Sequence, residues 1–101
     1  MYDFIDDGFE TAGYIAESPG LYRELRFRFR PMRDLERRRH ANKFGLLKPD
    51  DQSDFEHNAL ADRIASWNRD RPITPENVGK LPPALLNRLM GVVAGNIAPD
   101  D

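Results

Sequence analysis

Residues Arg23–Met32, RELRFRFRPM, set arginine and phenylalanine in strict alternation and stop at a proline. From Leu21 to Phe29 the odd positions read Leu, Arg, Leu, Phe, Phe and the even positions Tyr, Glu, Arg, Arg, the period-two pattern of a strand with one buried face. Only Arg23 breaks it. Upstream, Gly13–Glu17 is a short apolar–polar segment that leads into Ser18-Pro19-Gly20, a turn cluster. The spacing predicts a β-hairpin over 13–30, with Pro31 ending the second strand because it has no N–H for a ladder.

Adjacent strand residues point to opposite faces. Phe27 and Phe29 are therefore expected in a core, with Arg26, Arg28 and Arg30 as an outward ladder. That placement weakens a nucleic-acid platform of the stacking kind, which needs aromatics and cations on one surface.

Past Pro31 the period changes. Met32, Leu35, His40 and Phe44 fall near helical spacing, and Gly45 supplies a stop, so a helix with a thin apolar stripe is expected. Arg37 and Arg38 lie on it. Ser53-Asp-Phe-Glu56 fits a capping box and predicts a helix over 53–68, with Leu60, Ile64 and Trp67 on its apolar stripe and the loop 48–52 as a flexible joint. Thr74 can cap a further helix with Pro75 at its first position and Ile73 packed onto Val78. A last helix carries Leu85, Leu86, Leu89, Met90, Val92 and Val93 and ends at Gly95, and the tail Ala98–Asp101 is expected to fray. Its wide apolar face makes it either the central core helix or, through Leu86, Met90 and Val93, partly a partner surface.

The fold class that follows is α+β, an N-terminal β-hairpin and then three to four helices. A chain of 101 residues holds one core, so a single domain is expected, with an acidic arm at 1–12, the hairpin at 13–30 and a helical region at 31–97. Phe27, Phe29, Leu60, Ile64, Trp67, Leu85 and Leu89 are expected to share that core.

Charge is segregated. Residues 1–20 hold five acids and no Lys or Arg, whereas residues 21–39 hold eight arginines against Glu24, Asp34 and Glu36. The net charge is −2, and a nucleic-acid-binding domain usually has a basic total as well as a basic patch. An acidic arm folding back onto the arginines is the simpler use of the pattern.

Catalytic and metal motifs are missing from the sequence. His40 and His57 do not stand at ligand spacing, there are no cysteines, and no phosphate-binding glycine motif occurs. The acids at 50, 51, 54 and 56 lack the glycine and terminal glutamate of a calcium loop. No catalytic residue, cofactor or metal is expected, and the protein is read as a non-enzyme. No apolar run reaches the roughly 18 residues of a membrane span, and a cytoplasmic protein is expected.

Four segments in order, Arg28–Met32, Ile64–Trp67, Pro72–Val78 and Leu81–Leu89, give the chain a resemblance to the small tail assembly chaperones of long-tailed bacteriophages. The resemblance covers about residues 21–95 and leaves the acidic arm outside it. It implies a non-enzymatic protein in the host cytoplasm that binds a tape-measure or tail-tube protein and keeps apolar helices dispersed during assembly. The partner-binding residues expected on that reading are Arg26, Arg28, Arg30, Arg37, Arg38, Leu86, Met90 and Val93. A small nucleic-acid-binding regulator using the arginine ladder is the first alternative, and a structural virion component, such as a connector or tail accessory protein, is the second.

Overall fold

Gly13 stands directly across from Phe27 at the centre of a hairpin formed by β1 (Thr11–Ile15) and β2 (Leu25–Phe29). The computed structural model describes residues 2–101. The two strands are antiparallel, and Gly20, with φ of 81°, turns the chain beside paired bonds between Ser18 and Tyr22. Gly20 can hold that positive φ because it has no Cβ. The alternation of β2 has its expected outcome. Leu25, Phe27 and Phe29 are buried, while Arg26, Arg28 and Arg30 are exposed.

The remaining elements are α1 (Asp34–Gly45), α2 (Pro49–Arg63), β3 (Ile64–Trp67), α3 (Pro75–Val78) and α4 (Pro83–Ala94). The architecture is α+β, an antiparallel sheet in the order β1-β2-β3 with helices on one face. The buried cluster joins Ile15, Leu25, Phe27 and Phe29 to Leu60 of α2, Val78 of α3, and Leu85, Leu89, Val92 and Val93 of α4.

The sheet corrects the expected two-stranded element. Residues 64–67, expected to finish a helix begun at Ser53, form the third strand. Arg30 N–H donates to Arg63 O at 2.8 Å and Asn68 N–H donates to Arg26 O at 3.0 Å. These bonds cover the β2 edge that a bare hairpin would expose. Ile64 and Trp67 suit a strand through their branched and aromatic side chains, and this gain overrides a weak helical period.

The start of α2 also differs. It begins at Pro49, so the expected joint at 48–52 is its first turn. Pro at the first helical position sacrifices no intrahelical bond, and Asp50 and Asp51 complement the helix dipole. Ser53 lies inside the helix and caps nothing.

Other signals have their expected consequences. Thr74 Oγ1 accepts from Asn77 N–H at 3.1 Å, with Pro75 at the first position of α3. Gly95, at φ 83°, closes α4. Trp67 is half-buried against the core, and its indole N–H donates to Arg71 O at 2.8 Å. The end of the chain is tied down rather than frayed, because Asp100 bonds both β1 and Arg88.

A Cβ at Gly13 would stand 2.5 Å from Cζ of Phe27. The ring covers the glycine, so Gly13→Val should force it away and destabilise the protein by about 1–3 kcal/mol, the usual cost of overpacking. Urea titration checks this, and an unchanged midpoint would contradict the packing.

Candidate interaction surface

The outer face of the sheet is covered by no helix among the described residues. It presents Ala12 and Tyr14 from β1, Arg26 and Arg28 from β2, and Ser66 from β3, with Arg30 just beyond β2. Each arginine of the ladder has an acid beside it. Arg26 Nη2 lies 3.2 Å from Glu24, and its guanidinium stands over the Tyr14 ring at 4.8 Å. Arg28 Nε donates to Glu10 Oε1 at 2.7 Å. Arg30 donates to the Asp62 main-chain oxygen and has the Asp62 carboxylate 3.9 Å away.

The helical arginines sit on a different element. Arg37 and Arg38 share Asp34, at 2.9 and 2.8 Å, and this pair of cations holds the Asp34 carboxyl below its usual range. The arm closes the same circuit: Asp7 pairs with Arg33 and is likewise lowered. Five arginines expected to bind a partner are thus divided between a sheet face and a helix, each with a carboxylate within reach. Exposed pairs of this kind are weak and exchangeable.

The three apolar candidates separate by burial. Val93 is fully buried, and its oxygen accepts from Met32 N–H at 3.0 Å, so it is core and not a contact surface. The broad stripe of α4 misled because most of it faces the sheet and α2. Leu86 and Met90 are half-buried at its border.

Met90 and Arg37 are brought together by a groove of about 270 Å³ between α1, α2 and α4. Phe44, Met90 and Ala94 supply its apolar surface, and Arg37, His40 and Glu56 its polar groups. Glu56 and His40 could not be placed here from the sequence, because a groove of three helices depends on how they pack. Helix α1 contributes to the groove with side chains that are at most half-buried, Arg37, His40 and Phe44 among them. It is held instead by specific polar and aromatic contacts. Arg63 Nη2 donates to Glu36 at 2.6 Å, Gln52 donates to Phe44 O at 3.1 Å, and His40 stacks on Phe55 at 4.6 Å. Leu35 on α1 and Leu46 just past its end are exposed at 56% and 87%.

The groove's two titratable groups shift in opposite senses through a common cause. Burial lowers His40, with the Arg63 charge adding to the effect, and burial raises Glu56. Both therefore favour their neutral forms. Because the folded His40 pKa lies below the unfolded one, the unfolded chain binds more protons in that interval, and stability rises with pH through it. The contribution is complete above about pH 6.5 and is lost as pH falls through the folded value. His40→Gln should flatten the stability profile just below about pH 6.5, measured by urea titrations from neutral pH downward. An unchanged slope would place the titration elsewhere.

Among the described residues, no group of three or more His, Cys, Asp or Glu is placed to hold a metal ion. No helix in the described residues is long and apolar enough to cross a membrane. Searches against protein-family models, curated proteins and solved structures find no match to the chain.

Proposed function

We propose that the protein is a non-enzymatic, cytoplasmic adaptor that receives an amphipathic helix of a protein partner, in the manner that its resemblance to phage tail assembly chaperones implies, with a tape-measure or tail-tube protein as the partner. The observation that carries the reading is the groove beside α1. A 12-residue helix with no fully buried side chain leaves Phe44 and Met90 lining an open cleft of about 270 Å³. Helix-in-groove recognition needs apolar anchors in a cleft with a polar rim, and Arg37, Glu56 and Asn96 supply that rim.

The nucleic-acid alternative needs exposed arginines free to neutralise phosphates. The distribution of carboxylates lowers its standing, since Glu24, Glu10, Asp62 and Asp34 compete for the ladder and for α1.

Co-expression with a tape-measure-type polypeptide rich in long apolar helices tests the adaptor reading. Wild type should raise the soluble fraction of that polypeptide and co-purify with it, and Met90→Glu, which puts a charge at the groove, should abolish both. Equal recovery with wild type and Met90→Glu would remove the groove from the function. No gain in solubility with wild type would defeat the adaptor reading itself.

A further inference from the structure

The outer edge of β1 is partly occupied by the chain's own last residues. Asp100 N–H donates to Tyr14 O at 2.8 Å, and Ala16 N–H donates to Asp100 Oδ2 at 2.9 Å. From α4, Arg88 Nη2 donates to both oxygens of the same carboxylate at 3.1 Å. One side chain thus satisfies a strand edge and an arginine together.

The fit is incomplete in two respects. Arg88 Nε is buried with no acceptor, so the resident carboxylate uses only one nitrogen of a guanidinium built for two parallel bonds. The edge also continues beyond Asp100. Main-chain groups on an antiparallel strand point alternately to either side, so Ala12, like Tyr14 and Ala16, turns its N–H and C=O away from β2. Among the described residues, no main-chain bond from another segment covers Ala12 there. Arg28 lies across the ladder from Ala12, and its Nε reaches Glu10, the residue before β1, at 2.7 Å. Its present partner, Glu10, is an exposed surface pair.

We propose that the free edge of β1, with Arg88 at one end and Arg28 at the other, is a docking site for an extended acidic segment of a partner protein, and that the segment around Asp100 is its resident occupant in the free chain. In strand addition, main-chain bonds supply affinity and alternate side-chain positions supply specificity. The specificity written here is for carboxylates, one at Arg88 and one near Arg28. A second copy of the same chain would bring an identical segment and gain no bond that the intramolecular one lacks. A longer acidic strand gains the bonds at Ala12 and the contact with Arg28. This site is on a different face from the α1 groove and stands independently of it.

The test uses the full chain and a blocked synthetic peptide with the sequence of residues 96–101, NIAPDD, followed by NMR at the Ala16 amide. Asp100→Ala should move that resonance, and the peptide should return it in a saturable titration with at least tenfold higher affinity than for wild type. Arg88→Gln added to Asp100→Ala should lose at least tenfold in peptide affinity. A peptide with Asn at the Asp100 position should lose as much on Asp100→Ala itself, which gives a readout even where Arg88→Gln does not fold. No perturbation of Ala16 by peptide at millimolar concentration, or equal affinity for the Asp and Asn peptides, would overturn the proposal. A wild-type dimer that dissociates on Asp100→Ala would assign the edge to tail exchange between copies and overturn the partner assignment.

Discussion

Phe29→Ala is expected to lower the free energy of unfolding by about 3–5 kcal/mol, the range for a phenylalanine removed from a core. Phe29 is fully buried on the central strand, its ring centroid 5.2 Å from that of Phe27. It is paired to Thr11 on one side and Ile64 on the other, beside the irregularity between Arg28 and Phe29. Collapse around the lost ring is therefore restrained by two ladders. Domains of this size are typically stable by only about 5–15 kcal/mol, so the variant should unfold at much lower urea with an unchanged slope. A loss under about 1 kcal/mol would mean that the sheet does not pack on the helices as described.

Leu89→Ala should follow, at about 2–5 kcal/mol. Leu89 has no exposed surface and lies one helical turn from Leu85 and Val93, which are equally buried, so it sits at the middle of the face that α4 turns to the core. Met90→Ala, one residue on, is the internal control. Met90 is only half-buried at the edge of the groove, and its truncation should cost distinctly less. Equal losses at 89 and 90, measured by denaturant titration, would show that α4 is rotated from the orientation given.

The contrast between those neighbours shows where sequence reasoning reached its limit. Period two in β2 separated phenylalanines from arginines correctly because one strand with one buried face writes its geometry into every residue. Thr74-Pro75 and Gly95 worked for a similar reason, since caps depend on local main-chain groups. Residues Ile64–Trp67 were ambiguous. Their apolar positions fit the end of a helical stripe as well as a short strand, and the deciding factor was the unpaired edge of β2, more than 30 residues away. Val93 and Met90 looked equivalent in a broad apolar helix, and only the placement of the sheet and of α1 distinguishes core from border. Asp100 could not be read at all. Its bonds are to Tyr14, Ala16 and Arg88, and no local pattern links an aspartate to three such distant partners.

Charge layout gave a partial reading of the surface. The acidic start of the chain and the arginine-rich segment do meet, through Asp7 with Arg33 and Glu10 with Arg28. The sequence could not show that α1 would leave every side chain at least partly exposed, and the proposed groove depends on that fact.

The proposed function rests on recognition of polypeptide rather than nucleic acid. Its most direct test is one titration series of the wild-type protein at about 150 mM salt, against an amphipathic helical peptide and against a 20-base-pair duplex, with the groove residues Phe44 and Met90 monitored by NMR. Saturable peptide binding that shifts both residues, with no saturation by duplex, is the result expected. Sub-micromolar duplex binding that weakens by several log units per log unit of salt, the mark of several neutralised phosphates, would contradict it.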